Sequence, residues 1–355
     1  MMNSDSVRPP APVLNPGALT NAADAHQQMC ELIYGFQASQ AVRAIADLSL
    51  ADHLSSGGLT ATDIAEREGA PVDTTFRLMR AGVALGLMTA ESTGVFHGTE
   101  LLATLRKDAP RSLRPLALMQ TSQANWLAWT ELVSSLRSGR SEVRKVLESD
   151  FFTHLERNAQ EGADFSAAMS SGTMLWAADI ADLIDTTNVQ RAVDVGGANG
   201  TLLCLLQQAN PTLRGVVFDR PSVVERTRTE ITRNGFHERT DVLGGDFFTS
   251  MPDGDLYLLK FILHDWSDQE CVQILRQCRQ ALRPGGRVAI IEFLVGDLAD
   301  PGTRATLTDL AMHLLFTARE RSLDEFDALL AAADLRRVSV RPAVYPQAVI
   351  EAVAD

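Results

Sequence analysis

The sequence is short of basic residues and has no long apolar run. It carries 32 Lys and Arg against 45 Asp and Glu, a formal net charge of −13. A protein that binds nucleic acid phosphates or an anionic membrane over a broad surface needs the opposite balance, so we expect neither partner. No 18 consecutive residues are apolar, so no membrane-spanning helix is expected. The N-terminus, with one Arg and no apolar core, is not typical of a secretory signal.

Cysteine is also scarce. The four cysteines, Cys30, Cys204, Cys271 and Cys278, contain no CxxC pair, and the last two are spaced as core residues of a helix. Reduced, buried thiols predict a cytoplasmic protein. What the sequence does have is 45% hydrophobic residues over 355 positions. Because one domain usually takes about 100–200 residues, we expect two domains.

The N-terminal half has the outline of a winged helix. Thr60–Ile64 is typical of a helix start, Val72–Leu87 of a second helix and Met88–Phe96 of a hairpin. A DNA-binding regulator is therefore one functional hypothesis. Residues 48–107, however, carry seven Asp and Glu against five Arg and Lys, whereas a DNA-reading domain has a clear positive excess. We expect protein–protein contact instead, with a homodimer interface as the leading interpretation.

Four segments follow from these patterns. Residues 1–18, with four prolines, are expected to form a disordered tail, and residues 19–108 the winged-helix-like domain. Residues 109–185 are helical in pattern and rich in Trp, Phe and Met, which either pack in a core or line a pocket for a flat apolar ligand. Both interpretations stay open. Residues 186–355 have the pattern of an α/β domain.

In that last segment short apolar runs alternate with helical patterns. The strand patterns lie at Ala192–Val195, Gly215–Phe218, Asp241–Leu243, Leu256–Phe261 and Val288–Glu292. The helical patterns lie at Gly200–Gln208, Ser222–Asn234, Ser267–Leu282 and Ser322–Ala333. This alternation predicts a doubly wound parallel sheet with right-handed crossovers. Two closely connected runs, Arg337–Val340 and Ala348–Val353, predict an antiparallel hairpin on its edge.

The most informative motif is a glycine-rich turn between the first strand and its helix. Gly196, Gly197 and Gly200 allow the backbone to turn sharply and approach a ligand. Asp219 ends the second strand, 219 − 200 = 19 residues past the last glycine. An acid at that distance is placed to accept hydrogen bonds from ribose hydroxyls. The domain is therefore expected to bind an adenosine-type ligand.

The acid at the entrance of the turn, Asp194, distinguishes between such ligands. A carboxylate suits a ligand with an amino group and is unfavourable for a pyrophosphate. S-adenosylmethionine (SAM), which has an ammonium, a sulfonium and a ribose, therefore fits better than NAD. At the end of the third strand, Gly245 precedes Asp246 and Phe247, which are placed to accept from the adenine amino group and to pack on its ring.

The strand Leu256–Phe261 leads into a loop that presents His264 and Asp265. Two acids, Glu292 and Glu320, fall at later loop ends and are candidates to hydrogen-bond the imidazole and raise its basicity. A metal site at His264, Asp265 and Asp268 is disfavoured, because nothing else supplies ligands at a set spacing.

With these residues placed, the sequence resembles the SAM-dependent small-molecule O-methyltransferases of the plant caffeate type and their bacterial polyketide and phenazine tailoring relatives. The matching pieces are VDVGGANG, VVFDRP, GGDFF, LKFILHDWSD, RPGGRVAIIE and ARERS, in that order. The resemblance implies a Rossmann-like class I methyltransferase domain after an N-terminal helical dimerisation domain, and a small aromatic acceptor from secondary metabolism.

The resemblance also implies roles for individual residues. His264 matches the family's general base, and Glu292 and Glu320 match the acids that flank it. Met169, Asp265, Trp266 and Met312 match positions that border the acceptor. The positions that match the cofactor site are Asp194, Gly196, Gly197, Gly200, Asp219, Arg220, Gly245, Asp246, Phe247 and Lys260.

Two departures from the family pattern stand out. Thr317 and Ala318 replace the Gly-Gly that usually precedes the Arg-Glu-Arg segment, so the local backbone is expected to differ. Ala198 replaces a glycine in the cofactor loop, a small change that we expect to be tolerated.

The predicted reaction is in-line methyl transfer to a phenolic oxygen. A phenol has a pKa of about 10 and a free His of about 6.5, so His264 is expected to take the proton as the methyl moves. N-methylation, or hydroxylation or decarboxylation on the same fold, are the alternative reactions. A cofactor sensor without activity and the DNA-binding regulator are the alternatives from other classes.

Overall fold

The computed structural model describes residues 22–316, 318–343 and 347–354, without the side chains of residues 22, 23, 170 and 172–178. The predicted disordered tail, residues 1–18, lies outside the described residues, as does Thr317. The chain divides into two compact units. The first runs to Gln123 and includes Ala163–Ser171, and the second comprises Ala124–Gly162 and the chain from Gly172 onward.

The first unit contains the predicted order of helix, helix and hairpin. Thr60 caps the first of these helices, because its hydroxyl accepts from the Asp63 N–H at 3.2 Å while the Asp63 carboxylate accepts from the Thr60 N–H at 2.7 Å. The three strands pair antiparallel in the order β1-β3-β2. The elements are α1 (Ala22–Asp47), α2 (Leu50–His53), β1 (Leu59–Thr60), α3 (Ala61–Glu68), α4 (Val72–Ala84), β2 (Met88–Ala90), β3 (Val95–Gly98), α5 (Glu100–Ala103) and α6 (Arg114–Gln120).

Helices come next along the chain, before the large sheet. They are α7 (Gln123–Thr130), α8 (Leu132–Ser138), α9 (Arg144–Leu147), α10 (Phe151–Arg157) and α11 (Ala159–Leu183). The elements that follow are β4 (Arg191–Val195), α12 (Thr201–Ala209), β5 (Arg214–Asp219), α13 (Val224–Arg233), β6 (Thr240–Gly244), β7 (Gly254–Lys260), α14 (Asp268–Ala281), β8 (Leu282–Phe293), α15 (Thr303–Phe316), α16 (Leu323–Ala332), β9 (Leu335–Pro342) and β10 (Gln347–Ala354).

The large sheet has the predicted topology. Its strand order is β6-β5-β4-β7-β8-β10-β9, in which the first five strands are parallel and β10 pairs antiparallel with both β8 and β9. This confirms the doubly wound parallel sheet and the antiparallel hairpin on its edge. The carboxyl ends of the parallel strands meet at one edge, where ligands bind in such folds.

Both faces of this sheet are buried, which explains why its strands are continuous apolar runs. Tyr257 and Leu259 face one side with Val288 and Ile290, and Leu256 and Leu258 face the other, all fully buried. None of the helices in the described part of the chain combines the length and apolar character that a bilayer crossing requires.

Two elements differ from the sequence prediction. β8 begins at Leu282, not Val288, because Gly286 lets the chain lie against β7: a Cβ there would lie 2.7 Å from the Asp255 carbonyl oxygen. Helix α15 was not predicted, since its apolar residues surround much of the helix and leave little periodicity.

Candidate active site

The structure brings the three predicted catalytic side chains together at the carboxyl ends of β7 and β8. His264 lies in a short 3₁₀ turn, Leu263–Asp265, directly after β7. Its Nδ1 lies 2.8 Å from Glu320 Oε1 and 3.7 Å from Glu292 Oε2. Its Nε2 lies 3.5 Å from Asp265 Oδ1. Because an ionised carboxylate only accepts, Nδ1 carries the proton in the contact with Glu320, and Nε2 is the atom left to exchange a proton.

Glu292, at the end of β8, holds the backbone of this turn. Its Oε1 accepts from the N–H groups of Ile262 and Leu263 at 3.0 and 2.9 Å. The second oxygens of Glu292 and Glu320 are buried and accept no hydrogen bond from the described residues. Both carboxylates therefore retain acceptor capacity beside the imidazole.

The charges of this cluster are strongly coupled. Burial lowers the pKa of His264, but Glu292, Asp265 and Glu320 more than offset it and raise that pKa to about 10. Burial raises the pKa of Glu292 to about 7, against the attraction of His264, and raises the pKa of Asp265 to about 6. The imidazole is therefore held as the imidazolium at neutral pH.

The same three side chains offer donor atoms within 4.8 Å of one another. This group differs from the metal site considered in the sequence analysis, which included Asp268. The Asp268 carboxylate forms an ion pair with Arg321. The 2.8 Å separation between His264 Nδ1 and Glu320 Oε1 is that of a hydrogen bond.

Arg321 fastens the other side of the turn, a role the sequence did not reveal. Its guanidinium, 1% exposed, donates to the carbonyls of Leu263 and Trp266, each at 2.8 Å. It also donates through Nε and Nη2 to Asp268 Oδ1 at 3.0 and 2.7 Å. Only the position of Arg321 directly after Glu320, in ARERS, could have drawn attention to it.

Asp309 on α15 supports Glu320 in a similar way. Its Oδ1 accepts from the Glu320 N–H at 2.9 Å. In the neighbouring segment, which lacks the family's Gly-Gly, the Ala318 N–H donates to the Met312 carbonyl at 3.3 Å.

The glycine-rich loop after β4 packs closely against its surroundings. Gly196 adopts φ +63°, and a Cβ there would lie 2.5 Å from the Ile262 side chain. A Cβ at Gly197 would lie 2.5 Å from the Asp194 carboxyl carbon. Asp194 is 3% exposed, and burial raises its pKa to about 7 while Lys260 pulls it down. The predicted loop thus encloses the predicted acid.

Asp219 ties this loop to the end of β5. Its carboxylate accepts from the Ala198 N–H at 2.9 Å and from the Arg220 N–H at 2.7 Å, and burial raises its pKa. The Arg220 guanidinium lies 3.1 Å from Glu156 Oε1 and over the Phe152 ring at 5.7 Å. Contact of Asp219 with a ribose, and of Arg220 with the cofactor, remains a prediction.

The predicted adenine residues form an aromatic cluster. Phe247 and Phe248 both pack edge-on against Trp266, with ring centroids 5.8 and 4.8 Å away. Asp246 Oδ1 accepts from the Phe248 N–H at 2.9 Å, which shapes the turn. A side chain at Gly245 would collide with the Phe218 ring.

Lys260, the last residue of β7, lies between the two halves of the site. Burial lowers its pKa to about 8, while Glu292 and Asp194 raise it. Glu292 belongs to the imidazole cluster and Asp194 to the glycine-rich loop, so the ammonium couples the two electrostatically.

No single contact or cavity among the described residues groups the predicted acceptor residues. Met312 lies half-buried on α15, and Met169, also half-buried, belongs to the other unit. A cavity of about 730 Å³ adjoins Glu320. Met312 is not among its lining residues, which are Leu136, Gly139, Val295, Gly296, Asp309, Leu310, His313, Ala318, Arg319, Glu320, Ser322 and Glu325.

Comparison with known proteins gives consistent matches over nearly the whole chain. A family model for an O-methyltransferase domain matches residues 129–336, and one for an O-methyltransferase dimerisation domain matches residues 30–108. The chain is 30% identical to the phenazine O-methyltransferase PhzM of Lysobacter antibioticus over 325 residues, which are 91% of this chain and 95% of the relative.

Solved structures match as well. NcsB1, an O-methyltransferase from neocarzinostatin biosynthesis in complex with S-adenosyl-L-homocysteine and 1,4-dihydroxy-2-naphthoic acid, is 34% identical with a TM-score of 0.75, over 89% of this chain and 96% of that chain. The N,N-8-amino-8-demethyl-D-riboflavin dimethyltransferase RosA of Streptomyces davawensis is 28% identical with a TM-score of 0.80, over 93% and 99%.

Arg321→Lys tests the fastening of the turn. A single ammonium cannot reach two carbonyls and a carboxylate in fork geometry. The free energy of unfolding is expected to fall by about 2 kcal/mol, measured by denaturant unfolding. Arg276→Lys is the matched control, because Arg276 is exposed and donates to one carbonyl, that of Ala332. An equal loss in both variants would contradict the assignment.

Ala198→Gly tests the backbone of the glycine-rich loop. Ala198 adopts φ +47°, a left-handed conformation that costs a non-glycine residue roughly 1–2 kcal/mol; that the loop tolerates this alanine stays a prediction. The free energy of unfolding of the glycine variant is expected to be about 0.5–1 kcal/mol higher than that of the wild type. This figure allows for the greater conformational entropy of glycine in the unfolded chain. Ala331→Gly, on the exposed side of α16, is the control and is expected to lower the free energy of unfolding. A decrease in both variants would show that Ala198 is unstrained.

Proposed function

The chain belongs to the O-methyltransferase family, and from this premise we propose that it methylates a phenolic hydroxyl of a small aromatic acceptor, with His264 as general base. As a family member it is a SAM-dependent O-methyltransferase. The phenazine and naphthoic acid named for its relatives support an aromatic acceptor from secondary metabolism. The observation that supports the base is the 2.8 Å contact between His264 and Glu320, with Glu292 beside it.

The residues of the first sheet strands fit the cofactor. The loop around Gly196 and Gly197 has no room for side chains where a backbone approach is needed. We propose that this loop with Asp194 holds the methionine part, Asp219 the ribose, and Asp246 with Phe247 the adenine. When bound, SAM supplies an electrophilic methyl group on its sulfonium. Asp194 and Glu292 both act on Lys260, whose pKa their attraction raises.

The raised pKa of His264 changes how the proton is handled. At neutral pH the imidazolium must first release its Nε2 proton to solvent, because a ring that holds both protons cannot accept another. Once neutral, Nε2 is about as basic as a phenolate, since a phenol has a pKa near that of Tyr at about 10, so it can take the phenol's proton before or during attack. Glu320 keeps the Nδ1 proton in place throughout, and Glu292 stabilises the positive ring.

N-methylation is the second candidate, because the amino-group dimethyltransferase RosA shares the fold. An amine that is already nucleophilic needs no base. The oxygen acceptor is favoured because His264 is buried with two acids beside it, Glu320 at 2.8 Å and Glu292 at 3.7 Å.

We also propose the finer arrangement of the molecule. The match to a dimerisation domain supports a homodimer through residues 19–108, and several apolar side chains of α1, Met29, Leu32, Ile33 and Phe36, are more than half exposed in the single chain. Residues 109–185 are proposed to contribute to the acceptor pocket, with Met169, Asp265, Trp266 and Met312. The four free thiols fit the cytoplasm.

His264→Ala tests the base. Turnover of a phenol that the enzyme methylates is expected to fall at least about 100-fold, while the dissociation constant for SAM stays within about twofold, since no cofactor residue is removed. Methylated product is measured by mass spectrometry and SAM binding by calorimetry. His237→Ala, an exposed position, is the control. Unchanged turnover in His264→Ala would contradict the assignment of His264 as general base.

The pH dependence of catalysis tests the charge state of the site. At neutral pH both the phenol and the His264 imidazolium hold their protons, and one of these protons must be lost before Nε2 can act as a base. The kcat/KM for the phenol is therefore expected to rise about tenfold per pH unit between pH 7 and 9, with the methylated product measured by mass spectrometry. A kcat/KM that levels off near pH 6.5 would show that His264 is neutral in the free enzyme.

A further inference from the structure

Phe261 connects β7 to the turn that carries His264, and its backbone is unusual. It adopts φ +54°, in the left-handed region that a bulky residue rarely occupies without a constraint from its surroundings. The structure supplies that constraint through the neighbouring strand, because the Phe261 N–H donates to the Ile291 carbonyl at 3.0 Å.

The ring of Phe261 is enclosed by charged and aromatic groups. It stacks on the His264 imidazole with centroids 5.3 Å apart and planes 19° apart. The Lys260 ammonium lies 4.1 Å from the ring centroid, and Phe293 packs edge-on at 5.0 Å. The ring thus contacts both an ammonium, through a cation–π interaction, and the imidazole, through stacking.

The hydrogen bond to Glu320 leaves one freedom of the imidazole unfixed. The ring moves through χ1 and χ2 of the side chain, and coupled changes of these two torsions tilt its plane while Nδ1 stays within reach of Glu320. A flat partner lying parallel to the imidazole opposes that tilt, because tilting either ring breaks the face-to-face contact. Nε2 is then held in one direction, which matters because a misplacement of about 1 Å can cost about 100-fold in rate.

We propose that Phe261 is a positioning residue for methyl transfer: its strained backbone places its ring against His264 and fixes the plane of the imidazole. The proposal rests on the proposed role of His264 as base. It assigns the left-handed conformation a function, since another residue would fit this backbone with less strain but would lack the flat face.

Three variants of the full chain separate positioning from packing. Phe261→Leu keeps an apolar side chain without the flat face, and Phe261→Asn also lacks the ring but tolerates the left-handed backbone. Phe261→Trp keeps the face. We expect kcat to fall about tenfold in the Leu and Asn variants and to stay within twofold of the wild-type value in the Trp variant. The dissociation constant for SAM is expected to stay within twofold in all three.

Thermal unfolding supplies the second measurement. The Asn variant is expected to have a higher Tm than the Leu variant, although Leu is the larger and more apolar residue, because only Asn relieves the backbone. Phe326→Leu, at a buried position of α16, is the control for lost packing, with a lowered Tm and an unchanged kcat.

Each outcome decides the proposal. The proposal would be overturned if the Leu and Asn variants had the kcat of the wild type. It would also be overturned if a stably folded Trp variant lost kcat, or if the Asn variant had a lower Tm than the Leu variant. If His264→Ala retains full turnover, the proposed base is wrong. If His264→Ala is inactive while Phe261→Leu turns over like the wild type, only the positioning role fails.

Discussion

The site depends on how five residues of backbone, Ile262 to Trp266, are held at the end of β7. Glu292 accepts from the two amides that enter this segment, and Arg321 donates to two carbonyls within it and to Asp268 beyond it. Both holding groups are buried. A buried charge is costly unless it has a partner, and here Arg321 is paired with Asp268 while Glu292 lies beside His264.

Electrostatic attraction also links the two halves of the site. Lys260 is attracted by Asp194 under the glycine loop and by Glu292 beside the imidazole, and Asp219 binds the loop backbone to the end of β5. A change in charge at one end is therefore felt at the other. We propose that Asp194 faces the cationic cofactor and His264 the weakly acidic hydroxyl, so that this coupling connects the sites of the two reactants.

Much of this could be predicted from the sequence where the information is local. The parallel strands, the glycine loop and the edge hairpin follow from patterns of a few residues, and the structure confirms them. The grouping of His264 with Glu292 and Glu320 came from position at loop ends and from resemblance. Arg321 and Phe261 could not be found in this way. Their roles depend on which carbonyls and rings other segments present to them, and the strain at Phe261 and Ala198 is a property of backbone angles that no residue pattern records.

The central claim is that buried carboxylates hold His264 as a cation whose pKa matches that of a phenol. The most direct measurement is the chemical shift of the His264 Cε1 carbon followed by NMR against pH in the free enzyme, with the signal assigned through His264→Ala. The account predicts a midpoint well above 6.5, near 10, and a lower midpoint in Glu320→Gln. A midpoint at or below 6.5 in the wild-type enzyme would contradict it.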